Sequence, residues 1–199
     1  MAHPWSTNDN QNGPYDYESL RGYIAEGVQP ANKTYIYQNA NFALFRMIIP
    51  YLWKGSFKLL DPDSYTEKLA EMYVEYVSEH VLKPMGIFDA GCKPAGSAQT
   101  LFYQFGEDTS GWNPSDWTLI CGGGGWNMWA RELAAFLAHL RYGNVLSAAT
   151  RQQVDDERLG WKVKVGDHGD YLTHGDDLWD ANSCTRGMTG AIMDFPNNV

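Results

Sequence analysis

No run of about 18 apolar residues, the length a membrane-spanning helix needs, occurs in this 199-residue chain. Positive charge is scarce as well: 15 Lys and Arg stand against 24 Asp and Glu, a formal net charge of −9. A phosphate backbone would be repelled by that field, so nucleic acid is excluded as the expected partner. The N-terminal MAHPWSTNDNQNG is polar and holds no apolar signal core, which leaves the compartment open. Cysteine is limited to Cys92, Cys121 and Cys184, at spacings no metal site uses. An odd count excludes a fully paired disulfide framework. Three buried thiols are expected, with one bridge plus a free thiol as the alternative. Neither a His-Glu-x-x-His pattern nor a Lys-Ser/Thr after the glycine run is present, so the usual zinc-protease and phosphate-loop signatures are missing.

What is present suits one globular domain over residues 1–199. The chain is 44% apolar and 20% charged, ordinary for a globular protein, and long enough to bury a core. Aromatic residues make up 14%, which fits a wide cleft or a loop-rich surface. Residues 1–16 are rich in Asn, Asp, Pro and Gly and read as loop. A helix is expected from Tyr17 to Glu26, ended by Gly27. A second, strongly apolar helix spans Asn41 to Leu52, with Pro50 as the site for a kink. From Ser64 to Leu82, Leu69, Met72, Tyr73, Tyr76, Val77 and His80 recur at spacings of three and four, the mark of an amphipathic helix. Asp63 or Ser64 offers its cap, and Lys83-Pro84-Met85-Gly86 stops it. Further helices are expected from Met128 to Tyr142 and, capped by Ser147, from Ala148 to Asp156. Strands follow at Leu159–Val165, Asp170–His174 and Gly190–Phe195, the first two joined by a turn at Gly166-Asp167. Helices over 17–158 ahead of a small antiparallel sheet over 159–199 make the fold class α+β.

The segment YIYQNANFALFRMIIPYL carries the first functional signal. Its Tyr37-Gln38-Asn39, followed by Ala40-Asn41-Phe42 and an apolar helix, resembles the Tyr-x-Asn motif of class C β-lactamases and their carboxypeptidase and esterase relatives. Three more segments resemble this serine β-lactamase and penicillin-binding-protein-like family in the same order: EHVLKPMGIFDA from Glu79, GGGGWNMWARELAAFLAHL from Gly122, and LGWKV from Leu159. The family's third motif is a Lys-Thr-Gly or His-x-Gly triad on an inner strand. His174-Gly175-Asp176 matches it except for Asp in the third position, and Met188-Thr189-Gly190 except for Met in the first. The His174 triad is favoured, because GAIMDFPNNV then reads as the following strand and its turn. The family's nucleophile motif, Ser-x-x-Lys upstream of Tyr-x-Asn, has no counterpart. No Ser has Lys three residues later, SYTEK at Ser64 has the wrong spacing, and only 36 residues precede Tyr37.

The resemblance implies a helical lobe plus part of an antiparallel sheet, acting on a small-molecule amide or ester by acyl-enzyme chemistry, with no cofactor and no metal. Tyr37 would be the catalytic base. A phenol has a reference pKa of about 10, so it serves as a base only beside cations that stabilise phenolate. Asn39 would hydrogen-bond the substrate amide, and His174 with Gly175 would add a donor on the opposite wall. Acyl transfer also needs a nucleophile and oxyanion donors. The chain alone is therefore expected to be inactive, either as a fragment incomplete at both ends or as a non-catalytic binding domain. A fragment would expose sheet faces and an edge, so homo-oligomers or pairing with the missing segment are expected.

Plainer readings stand beside these. Tyr37 and Asn39 also suit a turn aromatic and a helix cap. Asp167, His168, Asp170, His174, Asp176 and Asp177 form a dense run that would suit zinc or manganese, and a metal-dependent hydrolase using His168 and His174 is the remaining alternative. A solvated hairpin rich in turn residues is the commoner reason for such a run. Gly122–Gly125 ahead of a helix could cradle an anion, but a closely packed turn is the commoner use. Trp112, Trp117, Trp126, Trp129, Trp161 and Trp179 would line a groove or fill core and loop contacts. Arg131 and Glu132 read as a solvated or capping pair.

Overall fold

The computed structural model describes residues 17–27, 39–55, 64–93, 101, 116–167, 169–180 and 185–195; for 23, 39, 40, 176–180 and 185–190 it describes the backbone alone. The expected loop at 1–16 lies outside these residues. Two compact units make up the chain, one of residues 1–81, 90–94 and 115–127 and the other of residues 82–89, 95–114 and 128–199.

The first unit is helical. Helix α1 runs Tyr17–Glu26, the expected range, and Gly27 closes it at φ 66° with its N–H on the Ile24 carbonyl. Only a residue without Cβ holds that left-handed conformation cheaply. Instead of one helix kinked at Pro50, two helices follow: α2 (Asn39–Ala43) and α3 (Phe45–Lys54). The interruption is at Leu44, whose carbonyl accepts from both Met47 and Ile48, a tightened turn. Pro50 sits inside α3 without ending it, buried with Arg46 and Met47 on the inner face. Helix α4 spans Tyr65–Val77, with Ser64 at the cap position but making no side-chain cap bond. A π turn (Ser78–Leu82) follows and leads into residues of the second unit, a 3₁₀ turn (Lys83–Met85) that Gly86 stops at φ 75°.

The periodicity of α4 decides what it packs against. Leu69 joins Leu20 and Met47 in one buried cluster, bordered by Tyr17, Leu44 and Tyr65. One turn further along, Tyr73 joins Cys92 and Cys121 in a second cluster, bordered by Ile49, Val74, Val77, Trp117 and Trp126. The Tyr17 N–H donates to Thr66 Oγ1 at 2.9 Å and ties α1 to the start of α4. His80, expected on the buried face, is exposed and instead lies edge-on to Trp53 at 5.3 Å.

The expectation of three thiols is corrected here: Cys92 and Cys121 form a disulfide, with Cα atoms 5.9 Å apart. Their segments are drawn together by a β-bridge between Gly91 and Asn127 and by the Trp117 N–H on the Cys92 carbonyl at 2.8 Å. The shared aromatic core does the rest, and a spacing of 29 residues carries no local cue to that meeting. Cys184 lies outside the described residues.

The second unit holds α5 (Ala130–Tyr142), α6 (Ala148–Asp156) and a three-stranded antiparallel sheet of β1 (Lys162–Gly166), β2 (Gly169–Asp180) and β3 (Thr185–Asp194), in that order. Glu132 caps α5 by accepting the Trp129 N–H at 2.8 Å, while Arg131 is exposed. Ser147 Oγ accepts the Thr150 N–H at 3.1 Å and caps α6. Arg141 on α5 pairs with Asp194 and donates to the Phe195 carbonyl, which fastens the end of β3 to the helix. Arg151 on α6 donates to the carbonyls of Gly143 and Leu146 and closes the α5–α6 loop. Strands β2 and β3 run longer than their apolar patterns suggest, with the register broken once, between Leu178 and Trp179. Main-chain pairing extends a ladder through polar residues that show no period-two signal. Helices ahead of an antiparallel sheet make the fold α+β.

Candidate active site

The motif residues fall in different units. In the helical unit, Asn39 is the first residue of α2; its side chain, and Tyr37 altogether, lie outside the described residues. The first glycine of the run lies against the end of α2. A Cβ on Gly122 would stand 2.8 Å from the Phe42 carbonyl oxygen and 3.1 Å from the Ala43 Cα. Gly125, at φ 82°, would place a Cβ 2.6 Å from Trp117 Cβ. Both glycines thus answer a close approach, the packed-turn reading of Gly122–Gly125. A glycine-rich stretch in sequence flags such contacts without saying what will be contacted.

In the sheet unit, His174 lies on β2 opposite Ile192, and Gly175, exposed, lies opposite Ala191. The His174 Nδ1 is 2.5 Å from the Gly160 carbonyl oxygen. A carbonyl only accepts, so Nδ1 carries the hydrogen. The neutral ring then presents Nε2 as an acceptor, and it becomes a donor only as imidazolium. The two candidate third motifs are side by side: Asp176 pairs with Gly190, Asp177 with Thr189, and Leu178 with Met188. Sequence alone offered them as alternatives; in the fold they are neighbouring rungs of one ladder.

Four groups elsewhere among the described residues depart from their ordinary titration, three in the helical unit and Asp194 on β3, two rungs from His174. The Tyr51 hydroxyl shares a hydrogen bond with Tyr17 and is partly desolvated, which pushes it up to about 12. Burial raises the Tyr73 phenol as well. Neither is set to ionise as a base. Burial also raises the Asp194 carboxyl, against the opposing pull of Arg141. Asp116, accepting hydrogen bonds from Thr118, is held below the usual carboxylate range.

Of the tryptophans, Trp117 and Trp126 border the disulfide core, Trp129 is exposed, and Trp161 helps line a pocket of about 280 Å³ with Leu140, Arg141, Arg151, Asp155 and Asp194. Trp112 and the Trp179 side chain lie outside the described residues, as does His168. Among the described residues no group of three or more His, Cys, Asp and Glu could hold a metal ion. No helix among them is long and apolar enough to cross a membrane.

The helices come first and the antiparallel sheet last, and the Asn39 and His174 segments follow one another in that order along the chain. A model of the Beta-lactamase family matches residues 2–193, and the chain belongs to that family of serine hydrolases. No curated protein and no solved structure matches it.

Proposed function

We propose that this chain contributes the base and substrate-orienting groups of an acyl-transfer site for an amide or ester, and does not by itself turn substrate over. The carrying observation is the family match over residues 2–193 together with the absence of any Ser-x-x-Lys in the sequence. Tyr37 takes the base role and Asn39 the amide-binding role. His174, with Nδ1 committed to Gly160, meets substrate through Nε2, beside the open backbone at Gly175. Removing a serine nucleophile from an enzyme of this kind costs on the order of 10⁶ in kcat. Purified protein should therefore hydrolyse nitrocefin and p-nitrophenyl acetate no faster than buffer. Turnover above one per minute on either compound would defeat the proposal.

The missing nucleophile also favours a second reading, a binding domain that holds an amide without acylation. It predicts reversible, saturable binding of benzylpenicillin by the chain as it stands, weakened about fivefold by Asn39→Ala, since a hydrogen bond is worth roughly 1 kcal/mol. Calorimetry showing no binding at millimolar ligand would eliminate it.

A further inference from the structure

We propose that the Cys92–Cys121 disulfide is a redox clasp that sets the backbone of α2, and with it Asn39, so that this segment takes its working geometry only under oxidising conditions. The helical unit supplies a continuous chain of contacts. Cys121 is covalently held to Cys92, and both are 1% exposed. Its carbonyl accepts the Trp126 indole N–H at 3.1 Å, and on the other side the Cys92 carbonyl accepts the Trp117 N–H. The residue after Cys121 is Gly122, which lies so close to α2 that even a methyl group would meet the Phe42 carbonyl and the Ala43 backbone. Ala43 is 2% exposed, so α2 has no room to retreat inward. The sulfur bridge therefore holds the turn, and the turn holds the last residues of a helix only five residues long. So short a helix has little stability of its own and takes its geometry from what it packs on.

Closing the clasp joins two thiols into one S–S bond. Two electrons and two protons pass to an acceptor disulfide of the glutathione class, which becomes two thiols; a dithiol reverses the exchange. Oxidising compartments keep such bridges closed and reducing ones do not. The bearing on substrate rests on Asn39 being the amide-binding group, but the clasp itself is tested without any substrate.

Peptide mapping after alkylation of unreduced protein should recover Cys92 joined to Cys121. The full chain is then treated with dithiothreitol until the mass rises by the two hydrogens of this bridge, and amide hydrogen exchange is compared before and after. Exchange at Phe42 and Ala43 should rise at least tenfold while that of α6 stays within twofold, and the Asn39 side-chain amide signals should shift in the ¹⁵N spectrum. Gly122→Ala should reproduce the α2 effect with the bridge intact. A Cys92→Ser/Cys121→Ser variant should show it with no response to dithiothreitol. Free Cys92 and Cys121 in protein from an oxidising preparation, unchanged α2 exchange after reduction, or an equal rise in α6 would each overturn the clasp. Hydrolysis and binding assays play no part in this, so the clasp and the assigned role of Asn39 can fail separately.

Discussion

The helical unit and the sheet unit are held together by different physics. In the first, α4 buries Leu69 in one cluster and Tyr73 in the next, and a disulfide closes the second cluster. In the second, order comes from main-chain ladders, helix caps and Arg141 gripping Asp194 and Phe195. Its buried apolar residues Leu82, Met85 and Ile87 precede α5, while on the strands Val165 is 85% exposed and Met193 50%. One region is built by side-chain burial, the other by backbone pairing fastened at its edges. Substitutions should therefore act on the two in different ways.

Truncating the helical core should have the largest effect. Leu69 is 1% exposed, so Leu69→Ala should cost about 3 kcal/mol, the middle of the range for buried leucines. Val165→Ala on β1 should stay within about 0.5 kcal/mol, because the side chain has little burial to lose. Urea unfolding of the two variants measures both, and equal losses would erase the contrast. Next comes the fastening of the sheet unit. Arg141→Ala leaves a largely buried Asp194 without its cation, at a cost of about 2 kcal/mol, less than for a fully buried pair. Asp194→Asn in the same background should recover part of that loss, since the stranded charge is gone. Failure of the second substitution to help would show that Arg141 acts through its packing alone.

The smallest effect is a difference of sign in acid. The folded chain holds the Asp194 proton to higher pH than the unfolded chain does, so between those two pKa values the native state binds more protons. Its contribution to stability therefore falls as pH rises through that window. Asp116 behaves in the opposite way: its lowered carboxyl adds stability above the ordinary carboxylate range, lost as pH falls through the folded value. Asp194→Asn should remove the first slope and Asp116→Asn the second in stability measured from pH 2 to 6. Slopes of the same sign would contradict the assigned causes.

Helix ends were legible in sequence because they answer to chemistry within a few residues. Gly27 ends α1, Ser147 opens α6, and Gly86 stops the chain after α4, as their types foretell. The spacing along α4 likewise named Leu69, Met72 and Tyr73 as buried. His80 followed the same spacing and yet lies on the surface, because the π turn from Ser78 to Leu82 shifts the helical phase just there. The break at Leu44 was equally hidden, being a response to packing and not to a breaker residue.

Family membership, the order of the motif segments and the lack of Ser-x-x-Lys are properties of the residue string, because each is a matter of identity and spacing. Which cysteines join, what Gly122 must avoid, which nitrogen of His174 keeps its hydrogen, and that the His174 and Met188 triads share a ladder all came from folding. Those outcomes depend on groups tens of residues apart meeting within a few ångströms. No local pattern encodes such a meeting; it follows from the whole set of packing choices made together.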